Sequence, residues 1–153
     1  MNRIPALSIS SATIAMLFMM PVAVLAQQRE VINAPGLPPG LPFSSAVRVG
    51  STLYLSGQIG TVPGTTQLVE GGIEVETRQT LDNIRSVLEY AGSSLEQVVK
   101  CTVFLADIAE YSLMNGVYAS FFADNPPARS TVAGSGLALG ARVEIECIAV
   151  VGS

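Results

Sequence analysis

The stretch from Glu74 to Leu105, EVETRQTLDNIRSVLEYAGSSLEQVVKCTVFL, changes its apolar period halfway along. In its first half Leu81, Ile84, Leu88 and Ala91 recur at helical spacing, while Arg78, Asp82, Arg85 and Glu89 fall on other faces. Gly92 is placed to end that helix, because a left-handed residue there costs glycine nothing. Ser93 and Ser94, with Glu96 and Gln97 three residues on, suit a short capped turn. Val98 to Leu105 is then rich in β-branched residues and reads as a strand. A helix followed at once by a strand is the kernel of a mixed fold.

Downstream, Asp107 with Glu110 three residues later resembles a cap for a second long helix. Its apolar face carries Tyr111, Met114, Tyr118, Phe121 and Phe122, and Asn125-Pro126-Pro127 stops it. Arg142 to Val150 is the last strand. Upstream, Ala46–Val49 and Leu53–Ser56 flank Gly50-Ser51 as a hairpin. Asn33 to Pro42 is an arm or loop broken by prolines and glycines, and Val62 to Gly72 is a second loop. The order strand, strand, helix, strand, helix, strand implies an α+β domain, a small sheet with two helices packed on one face.

Alternation then sorts the two long strands by face. Val143, Ile145, Cys147 and Ala149 share one side of the last strand; Arg142, Glu144, Glu146, Ile148 and Val150 share the other. The central strand sets Val99, Cys101, Val103 and Leu105 against Lys100, Thr102 and Phe104. Both strands leave apolar residues on the side that the helices do not need, and Tyr54 adds to it. A subunit interface would bury that side, so a homo-oligomer is expected.

Residues 1–26 are set apart from the fold. Arg3 gives a basic start, Ile9 to Leu25 is largely apolar, and Val24-Leu25-Ala26 ends in a small residue. That order describes a secretory signal peptide cleaved after Ala26, leaving one domain over 27–153 in a periplasmic or secreted location. The alternative is a retained anchor, which Pro21 and the short apolar run disfavour. Arg3 is one of the chain's eight basic residues, so seven remain against twelve acidic ones. An acidic surface repels phosphate backbones and disfavours nucleic-acid binding. The chain has no histidine, which removes Ser-His and Cys-His nucleophiles and histidine zinc sites. Neither a metal nor an organic cofactor is expected. Cys101 and Cys147 both fall in strands; the preferred reading is two packed small hydrophobes, the other a disulfide.

Arg129 follows the rigid Pro126-Pro127 step and precedes Ser130-Thr131-Val132, near a strand start. A guanidinium fixed there can form two parallel hydrogen bonds to a carboxylate, with the Thr131 N–H nearby; an internal salt bridge is the equal alternative. Glu144, in a partly dry cleft, can orient or activate water, or it can neutralise Arg142, Lys100 or Arg129. Glu146 shares its face, so the pattern does not choose between them. Lys100 is read as a stem packed along the sheet and paired to an acid, in preference to a catalytic amine.

Leu55-Ser56-Gly57-Gln58-Ile59, Glu76 to Ile84 (ETRQTLDNI), Val99 to Leu105, Asn115-Gly116-Val117-Tyr118, Pro127-Ala128-Arg129-Ser130-Thr131-Val132 and Val143 to Val150 together resemble the Rid family of reactive-intermediate deaminases, also called YjgF-like. The resemblance spans nearly all of Asn33 to Val150, in order. It implies a chorismate-mutase-like fold and a homotrimer with clefts between subunits. It also implies cofactor-free hydrolysis of 2-imino acids or their enamines to 2-oxo acids and ammonia, the activity of a 2-iminobutanoate/2-iminopropanoate deaminase. Arg129 matches the family's carboxylate-binding arginine and Glu144 its water-positioning glutamate. Gly57, beside Ser56, matches a backbone contact to the imine end, and Asn115 matches a pocket asparagine. Phe43 stands where the family commonly has tyrosine, and Thr131 replaces a frequent cysteine.

Imine hydrolysis asks little of the protein. The iminium carbon is already electrophilic, so holding the acid end and placing water suffices. The other function class considered is a non-catalytic trimeric binder of small carboxylates in the cell envelope, which would keep Arg129 without turnover. A nuclease, reported for some relatives, fits the acidic balance least.

Overall fold

The helical stripe in residues 74–91 folds as α1 (Ile73–Tyr90), and it buries Leu81, Ile84 and Leu88 completely. Each such side chain contributes about 1.5–3 kcal/mol relative to leaving it in water. Gly92 adopts φ 76° as expected. It lets the Gly92 N–H donate to Glu89 O (3.1 Å) and the Ser93 N–H to Leu88 O (2.8 Å), which closes the helix end. The computed structural model describes residues 28–152. The expected signal peptide over 1–26 lies outside them.

The second helix, α2 (Tyr111–Phe121), is entered through a 3-10 turn at Ile108–Glu110. The Asp107 carboxylate caps that turn by accepting from the Ala109 N–H at 2.9 Å. Seven strands form one mixed sheet: β1 (Arg29–Ile32), β2 (Ala46–Val49), β3 (Thr52–Leu55), β4 (Gln58–Ile59), β5 (Val98–Leu105), β6 (Ala128–Ala133) and β7 (Val143–Val150). Their spatial order is β1-β2-β3-β7-β5-β6, with β4 also paired to β7. All pairings are antiparallel except β5 with β6, which α2 joins as a crossover connection. The α+β expectation of two helices on one face of a mixed sheet holds. The core between the layers includes Leu53, Val103, Leu105, Met114, Val143 and Ile145, each fully buried.

Four readings from sequence are corrected. Strands β1 and β4 were not expected, and β6, signalled only as a strand start near Arg129, was not counted in the element order. Two of them are too short to show a period, and β6 is an edge strand of small and polar residues. Val99 does not face the core: a register shift between Val98 and Lys100 turns Val98 inward and leaves Val99 48% exposed. Arg142 precedes β7 and does not share the Glu144 side. Its N–H donates to Glu76 Oε2 at 2.9 Å, and its guanidinium pairs with Glu110. Finally, Cys101 and Cys147 form a disulfide. They sit directly opposite each other on β5 and β7, a register that a reading of separate strands does not supply.

The sheet face away from the helices is open. Across it runs the row Val31, Val47, Tyr54, Ile148 and Lys100, each paired in register with the next. Val31 is 48% and Tyr54 49% exposed.

Candidate functional site

Register decides where the candidate residues go. Arg129 is paired with Cys101, and Cys101 with Cys147, so Arg129 and Thr131 face the helices. Glu144 is three residues from Cys147 on the same strand and therefore faces the open side. In a single chain the two residues occupy opposite faces of the sheet.

On the helix side, the Arg129 guanidinium donates from Nη2 to Asn115 Oδ1 at 2.7 Å and to the Tyr111 hydroxyl at 3.0 Å. Its Cζ lies 4.5 Å from the centre of the Tyr118 ring and 5.8 Å from that of Tyr111. Tyr111, Asn115 and Tyr118 follow one another at i, i+4 and i+7, so one side of α2 supplies all three. None of these partners is charged, and among the described residues Arg129 has no acidic partner. The internal salt bridge weighed as an alternative is not formed. Burial pushes the Tyr118 phenol up to about 12, with the Arg129 charge opposing, so the ring stays neutral beside the guanidinium. The Thr131 hydroxyl, two residues along β6, is buried without a hydrogen-bond partner.

On the open side a cavity of about 350 Å³ is lined by Glu144, Gly57, Phe43, Leu41 and Leu139. Gly57 is what lets the glutamate lie there: a Cβ at position 57 would fall 2.9 Å from Glu144 Cδ and closer still to Oε1. Desolvation, and then the like charge of Glu146, hold the Glu144 carboxyl above its ordinary range. Ser56 packs beside this group, its hydroxyl donating to Ser44 O at 2.7 Å. Phe43 is 47% exposed.

The structure thus brings the expected residues together as two groups. Arg129, Asn115 and Thr131 form one; Glu144, Gly57 and Phe43, with Ser56 adjoining, form the other. The acids with which Lys100 was expected to pair do not hold it. Among the described residues it is exposed and outside every ion pair. Three neighbours escaped the sequence reading. Tyr111 and Tyr118 were placed only on the apolar face of α2, although their spacing with Asn115 marks a shared edge. Leu139, with φ 57°, gave no signal, because a leucine in the left-handed region is unexpected. That conformation costs roughly 1–2 kcal/mol for a side chain with a Cβ.

Residues 32–151 match the model of the family described as endoribonuclease L-PSP. The 2-iminobutanoate/2-iminopropanoate deaminase of Bos taurus is 45% identical over 125 residues, covering 81% of this chain and 91% of that protein. A RutC family protein of Sulfurisphaera tokodaii is 49% identical over 107 residues, 70% of this chain and 86% of its own. Among solved structures, a protein of the conserved Rid family from Yersinia pestis has a TM-score of 0.76 at 44% identity, over 81% of this chain and 100% of that one. The YjgF gene product of E. coli has a TM-score of 0.73 at 33% identity, over 79% and 98%. Both the fold and the sequence match these relatives over most of their length, and the chain belongs to the endoribonuclease L-PSP family, the Rid or YjgF-like proteins.

Proposed function

We propose that this protein is a cofactor-free hydrolase of 2-imino acids, converting them to 2-oxo acids and ammonia. The observation that carries the reading is the Arg129 guanidinium, oriented by Asn115, Tyr111 and Tyr118 but neutralised by no acid among the described residues. Its charge is left for an anion, and a 2-imino acid presents a carboxylate that fits the guanidinium in two parallel hydrogen bonds. Relatives at 42–45% identity carry the name 2-iminobutanoate/2-iminopropanoate deaminase, which agrees with this chemistry.

The reaction balances without further reagents. Water adds to the iminium carbon, Glu144 takes a proton from it, and that proton passes to the amino group. The C–N bond then breaks with its electron pair leaving on nitrogen as ammonia, the carbinol O–H gives its proton to Glu144 as the carbonyl forms, and that proton passes to the ammonia to give ammonium. A carboxylate whose affinity for protons is raised is suited to these transfers.

Because Arg129 and Glu144 face opposite ways, one complete site takes each from a different subunit. A homotrimer, with the open apolar sheet face turned inward, supplies that arrangement; it is the assembly that the sequence resemblance implies. We further place the protein in the periplasm or outside the cell. The basic, apolar and small-residue order of residues 1–26 supports this, and so does the Cys101–Cys147 disulfide, a bond that persists in oxidising compartments.

The test uses an amino-acid oxidase that releases 2-iminopropanoate, with the imine lifetime followed by trapping. The protein shortens that lifetime, and Arg129→Ala lowers kcat/KM by ~100-fold or more, as expected for a lost charged anchor. An imine lifetime that the protein does not change would defeat the proposal.

A further inference from the structure

The Glu144 cavity joins one acid to several apolar side chains, with the neutral polar groups of Gln58, Thr61, Thr65 and Thr66 also on its lining. Phe43, Leu41, Leu139, Leu37 and Pro38 all line it, and no basic residue does. Among the described residues it therefore offers no cation for the carboxylate of an imino acid; most of what it offers is room and apolar surface.

Leu139 is the informative member. Its backbone is held at φ 57° and ψ 12°, a conformation that glycine would adopt without strain, and Gly140 follows at φ 78°. Yet the side chain is not spent on the core: it is 61% exposed. Phe43, across the cavity, is likewise 47% exposed, and Leu41 38%. A leucine that is strained in its backbone and unburied in its side chain acts at the cavity it lines, since strained residues persist where they shape a site.

Resting on the imine-hydrolase reading, we propose that this apolar wall receives the substrate's side chain. The preferred substrates are then 2-imino acids with bulky apolar side chains, and Leu139 and Phe43 are the specificity-determining residues. A branched or aromatic side chain entering the cavity covers the exposed faces of Leu139 and Phe43. A methyl group does not reach them.

The experiment compares kcat/KM for imines released by an oxidase from alanine, leucine and phenylalanine, using the full chain. The leucine- and phenylalanine-derived imines are expected to exceed 2-iminopropanoate by at least ~10-fold, the order that a few apolar groups supply in a pocket. Leu139→Asn keeps a residue that tolerates the left-handed backbone while removing the apolar surface. It should cut the rate with the leucine-derived imine about tenfold more than that with 2-iminopropanoate, in KM more than in kcat. Leu139→Gly, which relieves the backbone, should act in the same direction without lowering thermal stability.

Efficient hydrolysis of 2-iminopropanoate with no preference for the larger imines overturns this inference and leaves the hydrolase reading standing. Loss on all imines alike in Leu139→Asn, accompanied by dissociation in size-exclusion chromatography, also overturns it, since Leu139 would then act through assembly. No acceleration with any imine overturns both.

Discussion

Arg129 and Glu144 lie on opposite faces of the sheet, because Arg129 is in register with Cys101, and through it with Cys147, while Glu144 stands an odd number of residues from Cys147 on β7. Asn115 and Tyr111 hold the Arg129 guanidinium on the α2 side, away from Glu144. Under the proposed assembly, a site that uses both draws them from two copies of the chain. Arg129→Ala and Glu144→Gln are each expected to be inactive alone. After the two variants are unfolded together and reassembled, activity should return to about a quarter of wild type, from random pairing of neighbours in a cyclic oligomer. Mixed assemblies that stay inactive would show that one chain holds the whole site.

Gly57 and Glu144 share a close approach that only a missing side chain permits. The obstruction to a Cβ is the far end of a flexible glutamate, not backbone, so Gly57→Ala should fold normally and displace the carboxylate. Activity is expected to fall ~10-fold or more, in kcat, while the thermal midpoint changes little. A large drop in stability would instead place the strain in the chain around position 57.

The Glu144 carboxyl is held above the ordinary carboxylate range by burial first and by the Glu146 charge second. As the base that receives a proton from water, it works only when ionised, so the rate falls as pH drops through its raised value. Glu146→Gln removes the like charge and should move that acid limb to lower pH. The linked stability has the opposite sense. A raised acid is no burden below its unfolded value, and it costs stability as pH rises through its folded value. Glu144→Gln should therefore be at least as stable as wild type at neutral pH while losing activity. Urea titrations at two pH values measure the one effect and the pH–rate profile the other.

Much of this was legible in the sequence, and the failures have local causes. The helical stripe of α1, the strand patterns of β5 and β7 and the glycine stop at position 92 read correctly, because burial on one face imposes a period. Val99 was assigned to the wrong face because a bulge adds a residue that alternation does not count. Strand β6 was signalled only by the strand start near Arg129, since an edge strand reading ARSTVA carries little apolar alternation. Arg129 and Glu144 were found as residue types, but their separation by the sheet depended on pairings between strands distant in sequence. The disulfide depended on the same long-range register.

Cys101 and Cys147 link β5 to β7 across a sequence separation of 46 residues. Both are almost fully buried, at 1% and 2% exposure, in the core that carries Val103 and Ile145. Closing a loop of that length restricts the unfolded chain far more than the folded one, where the register already holds the two strands together. The loop-entropy relation gives about 4 kcal/mol at 25 °C, an upper figure because residual structure in the unfolded chain reduces it. The double variant Cys101→Ala/Cys147→Ala keeps the site but forfeits that restriction and some packing. It should unfold at clearly lower denaturant concentration than oxidised wild type, and reductant should destabilise wild type without affecting the variant. Thiol titration of the protein unfolded without reductant should find no free thiol. Two titratable thiols would return both cysteines to the role of packed hydrophobes, and would remove the disulfide's support for an oxidising compartment.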